Sequence, residues 1–252
     1  MPGNSDAVSS GAPITLEWGM QEILIFRHAA GEGPGYFARF LDRHELRYRI
    51  IRIDQNEPVP ARIDDSSAVV LMGGPMSVND RLPWIPEVLR LIKEAMAADR
   101  PVLGHCLGGQ LLSKALGGTV ASNGVREIGW FTVRRAPDAA ANDWLGALPS
   151  EFETFHWHGE TFSIPDGASC ILSSDACANQ AFAVGKALAL QCHVEMLPSM
   201  VQDWARIGRE EIATPSDTIQ SAGQMTEALE QRISRLHQVA DAIYTRWLQG
   251  LA

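Results

Sequence analysis

Pro101-Val-Leu-Gly-His-Cys106-Leu-Gly-Gly-Gln110-Leu-Leu112 is the stretch whose reading decides the fold. It opens on a short apolar run and passes through Gly-x-Cys-x-Gly. Leu111, Leu112, Ala115 and Leu116 then recur at helical spacing, and Gly117-Gly118 closes the helix. The order is strand, sharp turn, helix, with a cysteine at the turn. This is the spacing of a nucleophile elbow with sulfur in place of oxygen. Such a turn forces the nucleophile into a strained backbone conformation, and flanking glycines remove Cβ atoms that would clash. Cys106 then projects at a helix N-terminus, where the dipole favours negative charge. The Leu107 amide points the same way and can stabilise an oxyanion.

The chain upstream repeats the strand–loop–helix rhythm. Ile23 to Phe26 is a short apolar strand, ended by Gly31, Gly33, Pro34 and Gly35. Tyr36, Phe37, Phe40 and Leu41 follow at helical spacing. Tyr48 to Ile53 alternates as a strand, and Pro58, Pro60 and Asp64-Asp65 mark a loop. Ala68 to Met72 is a third strand, stopped by Gly73-Gly74-Pro75. A helical stripe runs from about 84 to 98. Apolar strands alternating with helices indicate an α/β fold, an open, mostly parallel sheet with helices on both faces. Sites in such sheets lie beyond the C-terminal ends of the strands, at the two Gly-rich exits 73–75 and 104–109.

The second half differs. Trp130 to Val133, Phe152 to Trp157, Ser169 to Leu172, Ala181 to Val184 and Ala187 to Cys192 are closely spaced strand-like runs. They predict a small antiparallel extension of the sheet. Residues 197–210 and 218–249 read as helices, the latter a C-terminal extension that covers the sheet or docks another subunit. No repeat or linker divides the chain. The expectation is a flexible tail over 1–19 and a single domain over 20–252.

Composition excludes more than it identifies. The 252 residues carry a net charge of −9, which suits no nucleic-acid backbone. No apolar run approaches the roughly 18 residues of a membrane span. Residues 1–19 have no Lys or Arg and do not read as a signal peptide. Four cysteines without Cys-x-x-Cys spacing are too few for a disulfide scaffold, so a cytoplasmic protein is expected.

A nucleophilic cysteine needs a base, and the base needs an orienter. His193 ends the strand-like run Ala187-Leu-Ala-Leu-Gln-Cys-His-Val-Glu195. In extended chain, i and i+2 face one side, so Glu195 can fix the His193 tautomer. Gly74 can bring a second amide to an oxyanion. His156-Trp157-His158 has no cysteine pair at zinc-ligand spacing, so Cys170, Cys177 and Cys192 do not make a metal site with it. Metal and cofactor are both expected to be absent. Cys170 and Cys177 read as thiols. His28, His44 and His237 read as surface or loop positions, and His105 as pointing into the sheet.

Taken together, Gly-Gly-Pro-Met-Ser-Val (73–78), Gly-His-Cys-Leu-Gly-Gly-Gln (104–110), His-Trp-His-Gly-Glu-Thr-Phe (156–162) and Gln-Cys-His-Val-Glu (191–195) appear in an order and spacing that resemble class I, triad-type glutamine amidotransferase domains. The likeness is greatest to GMP-synthase-like stand-alone members and covers roughly residues 22–200. It implies a flavodoxin-like fold. It also implies hydrolysis of the glutamine side-chain amide through Cys106, His193 and Glu195 and a γ-glutamyl thioester. Gly74 and Leu107 would stabilise the oxyanion. Gln110 would lie near the bound glutamine, and His158, in a pocket-lining loop 156–162, would contact it. Val194 stands where the family often has proline, and Cys192 where it often has an aromatic residue.

The implied substrate is L-glutamine or a γ-glutamyl compound. No Gly-x-x-x-x-Gly-Lys-Ser/Thr loop occurs, so a synthetase that accepts the ammonia is expected on another chain. Two alternatives remain at this stage: a γ-glutamyl peptidase, and a non-catalytic or redox-sensing module built on an oxidisable Cys106.

Overall fold

The computed structural model describes residues 22–63 and 66–251. The tail expected over 1–19 and the Asp64-Asp65 loop lie outside the described residues. The first strand, β1, is Glu22–Arg27, and its side chains alternate between two cores. Ile23 and Ile25 face one, and Leu24 and Phe26 the other. A strand buried on both faces must be apolar throughout, which is why it reads as a run.

Further strands are β2 (Tyr48–Arg52), β3 (Ser66–Leu71), β4 (Val102–His105), β5 (Val120–Arg135), β6 (Glu151–Phe162), β7 (Ser169–Ser173), β8 (Ala181–Val184) and β9 (Ala187–Leu190). They form one nine-stranded sheet in the order β2-β1-β3-β4-β9-β8-β7-β5-β6. The first five in that order are parallel, and the remaining pairings are antiparallel. The expected extension therefore contributes β5 to β8.

Helices cover both faces. One core takes the apolar faces of α1 (Gly35–Arg43), α4 (Ala139–Leu145), α5 (Pro198–Ile207), α6 (Ala222–Thr226) and α7 (Leu229–Leu248). The other takes α2 (Trp84–Ala97) and α3 (Leu107–Ala115). The single helix expected over 218–249 is two. Ser221 and Gln224 form a capping box that starts α6. Ala228, at φ 50°, then breaks the chain before α7. Residues 156–162, expected as a loop, are the second half of β6, paired with β5 between Val120 and Gly129. The apolar run 187–192 leaves the sheet after Leu190, two residues earlier than its composition suggests.

Candidate active site

Cys106 stands between β4 and α3 at φ 49° and ψ −108°, a region that side-chain-bearing residues rarely occupy. Packing holds it there. Its amide donates to Leu190 O at 2.8 Å, and its carbonyl accepts from Gln110 N at 3.0 Å. Close approach explains the neighbouring glycines. A methyl group on Gly104 would collide with Gly108, and one on Gly108 with Leu71 O. The helix is thus drawn flat against the strand ends, with its free N-terminal amides beside the thiol.

His193 follows β9, the strand paired with β4. Its backbone exchanges hydrogen bonds with Phe155 at 2.7 and 3.3 Å. Its Nδ1 lies 2.7 Å from Glu195 Oε1, so the i, i+2 reading places the carboxylate on the imidazole as expected. Nε2 is buried and has no hydrogen-bond partner among the described residues. Burial alone would lower the His193 pKa. The Glu195 carboxylate and the adjacent Cys106 outweigh it and raise the pKa well above the ordinary value. Burial acts on Glu195 in the opposite sense to its partners. His193, then His105, prevail and hold it down at about 2. Glu195 thus orients the His193 ring and leaves its second nitrogen facing away from the carboxylate.

The other predicted residues converge unevenly. Gly74 lies against Leu107, because a methyl group on it would meet Leu107 Cδ2 at 2.7 Å. Gln110 is buried, and its Nε2 donates to Gln191 Oε1 at 3.2 Å and to Glu160 O at 3.4 Å. His158 lines the cavity that holds Cys106. Its side chain is only 1% exposed, with Nε2 3.1 Å from Glu127 Oε2 and Nδ1 3.1 Å from Glu160 O, so the ring also braces the pocket wall.

Several residues were not found by sequence reasoning. Gln191 Nε2 donates to Cys106 Sγ at 3.5 Å, linking that sulfur to Gln110. His105 is not a simple sheet residue. Its Nε2 lies 3.9 Å from Glu195 Oε2 and 3.1 Å from the Tyr244 hydroxyl. Burial lowers its pKa, against the pull of Glu195. His28 is buried, not on the surface. It is hydrogen-bonded to Met72 O at 3.0 Å, stacked on Trp84 and held by burial at about 4. His44 is exposed and His237 half-buried. A second cluster joins Glu127, His156 and His158, whose donor atoms lie within 4.8 Å of one another. That spacing could hold a cation, but Gln180 Nε2 already donates into its centre, 2.6 Å from Glu127 Oε2. Glu127 comes from β5 by register with β6, which spacing along the sequence does not reveal. All four cysteines are free, and burial pushes Cys192 up to about 12.

Cys106, Gly74, Gln110, Glu32, Trp157 and Trp204 line one cavity of about 730 Å³ at the C-terminal ends of the parallel strands. A buried, oriented histidine beside a strained cysteine at such a mouth is the arrangement of acyl transfer. The comparisons agree. Residues 37–203 match the model of the family described as glutamine amidotransferase class-I. A glutamine amidotransferase-like protein of Salmonella typhimurium is 26% identical over 74% of this chain and 80% of its own. A GMP synthase of Rhodopseudomonas palustris is 33% identical over 66% of this chain, which spans only 30% of that enzyme. The crystal structure of a glutamine amido transferase from Methylobacillus flagellatus superposes with a TM-score of 0.89. It is 43% identical and covers 93% of this chain and 96% of its own. A glutamine amidotransferase from Thermotoga maritima gives a TM-score of 0.80 at 26% identity, covering 90% of this chain and 97% of its own. Elbow, sheet order and family model converge, and the chain belongs to the class-I glutamine amidotransferases.

Proposed function

We propose that the protein hydrolyses the side-chain amide of glutamine through Cys106, His193 and Glu195. The observation that carries this is the open Nε2 of a histidine whose other nitrogen is fixed by Glu195, beside a cysteine at a strained elbow. Cys106 sulfur attacks the γ-carbon as His193 takes the thiol proton. The Gly74 and Leu107 amides receive the negative oxygen. The C–N bond breaks, His193 hands its proton to the nitrogen, and ammonia departs. Water, deprotonated by His193, then attacks the thioester. Glutamate leaves and the proton returns to sulfur. Ammonia is released or passed to an acceptor enzyme. Gln191 and Gln110 form the wall beside the sulfur, braced by the Glu160 carbonyl that His158 also contacts.

The test measures ammonia from glutamine and the mass of the quenched protein. Wild type should release ammonia and carry a γ-glutamyl adduct. Cys106→Ala should lose both, with ammonia release down on the order of 10⁴-fold. Equal rates in wild type and variant would sink the reading. The cavity also favours a second substrate class. About 730 Å³ is far more than one glutamine fills, so γ-glutamyl amides or peptides have room beyond the carbonyl. Comparing kcat/KM for glutamine and a γ-glutamyl dipeptide separates the two.

A further inference from the structure

Glu32 has no part in the mechanism just given, yet it stands at its centre. It sits in the loop between β1 and α1, and this loop wraps the catalytic carboxylate. Tyr36 N, in the first turn of α1, donates to Glu195 O at 2.8 Å. Gly35 presses so closely on the same carbonyl that a methyl group there would strike it. Trp204 closes the other side. Its Nε1 donates to Gly31 O at 2.9 Å, and its ring stands edge-on to His193 with centroids 4.9 Å apart. The loop is therefore a built part of the site, tied at both ends.

The Glu32 carboxylate is aimed inward. A methyl group on Gly73 would collide with Glu32 Oε2 and would meet His193 Cε1 at 3.3 Å. Carboxylate and imidazole thus meet over the bare Cα of Gly73, which explains the glycine. Glu32 lines the same cavity as Cys106 and accepts no hydrogen bond from a described side chain or amide. A half-buried carboxylate that faces His193 across a cavity, with no protein donor on it, is placed to meet a ligand there.

We propose that Glu32 binds the leaving group: it holds the departing ammonia, and then the incoming water, against His193. This rests on the reading of Cys106 and His193 given above. The balance is simple. In the first half, sulfur–carbon forms, carbon–nitrogen breaks, and His193 delivers the thiol proton to nitrogen. Glu32 accepts an N–H hydrogen bond from the ammonia so formed. In the second half, water occupies the same place. His193 removes one of its protons while Glu32 accepts a hydrogen bond from the other O–H. Oxygen–carbon forms, carbon–sulfur breaks, and the proton returns to sulfur through His193. Glu32 orients both nitrogen and oxygen and loses no proton in either half.

The carboxylate form is the one that accepts these bonds. Burial raises Glu32 to about 7, against the pull of His193 and with a smaller push from Glu195. The other titratable or charged groups around the site are His28 and the Asp54-paired Arg27 on its own segment, Cys106, and Arg126, His158, Glu160 and Glu211 around the cavity.

The experiment compares wild type, Glu32→Gln and Glu32→Ala on glutamine, following ammonia, the quenched γ-glutamyl adduct and the pH profile. Alkylation of Cys106 by iodoacetamide checks that each variant keeps its site. Glu32→Ala should lower kcat roughly 10- to 100-fold. Glu32→Gln, which keeps one acceptor oxygen, should fall between. The rise of kcat through about pH 7 should flatten in both. The adduct should accumulate as water is left unoriented. Variants that keep wild-type kcat, adduct level and pH profile overturn the inference while the triad reading stands. A wild type that releases neither ammonia from glutamine nor the arylamine from a γ-glutamyl anilide overturns the triad reading, and this inference with it.

Discussion

Two clusters of histidine and carboxylate lie buried in this sheet, and they end differently. In one, Glu195 fixes His193 Nδ1 and leaves Nε2 without a partner. In the other, Glu127 Oε2 receives His158 Nε2 at 3.1 Å and Gln180 Nε2 at 2.6 Å. The outer nitrogens there are held by Glu160 O and the Thr154 hydroxyl. Residue types and burial are nearly the same. What separates the clusters is a ring nitrogen: His193 Nε2 has no partner, whereas both rings of the second cluster are held at both nitrogens. A closed network holds a wall, whereas an open one can move a proton.

Substitutions can break or sharpen that contrast. The largest effect should come from Glu195→Gln, which keeps the shape of the orienter but removes its charge. The kcat for ammonia release should fall about 10³-fold, while adducts still report an intact pocket. If kcat survives, the open cluster is not the chemical one. Next comes Glu127→Gln. It removes the carboxylate from a buried hydrogen-bonded network, a change worth about 3–5 kcal/mol in comparable cases. The melting temperature should fall by roughly 6–20 °C with kcat within about tenfold of wild type. Equal melting temperatures and a collapsed kcat would reverse the roles of the two clusters.

The smallest effect is in pH. Glu195 lies at about 2 in the folded protein, below its ordinary 4.5. Its contribution to stability is therefore complete above about pH 4.5 and is lost as pH falls toward 2. At most it is worth about 3 kcal/mol. Glu32 runs the other way. It is raised to about 7, so burying its charge costs stability as pH rises from about 4.5 through 7. Acid titration of stability should be shallower in Glu195→Gln than in wild type, and alkaline loss shallower in Glu32→Gln. Parallel curves for all three proteins would refute both assignments.

Much of this was legible in the chain. Gly104, Cys106 and Gly108 announced the elbow, because only a tight strand-to-helix turn needs that spacing. His193 and Glu195 were found because a period of two is a local property. The partners that arrive from elsewhere were not legible. Gln191 reaches Cys106 and His105 reaches Tyr244 only after the strand order is known. Glu127 meets His158 through register on β5 and β6. His28 follows an apolar strand and reads as a loop residue, but the turn folds its ring under Met72 O. His158 stands in a recognisable motif, yet its direction is set by Glu127, not by its neighbours in sequence.

The place of β9 has a consequence for how the molecule comes into being. Val102 on β4 pairs with Ala187 on β9, and no described strand lies between them. A ribosome makes the chain from its N-terminus, so the thiol emerges long before the strand that brings its base. Through that interval β4 offers an unpaired apolar edge, and slow parallel closure prolongs it. The nascent protein is thus unarmed and adhesive at once. The same docking event that hides the edge brings His193 to Cys106.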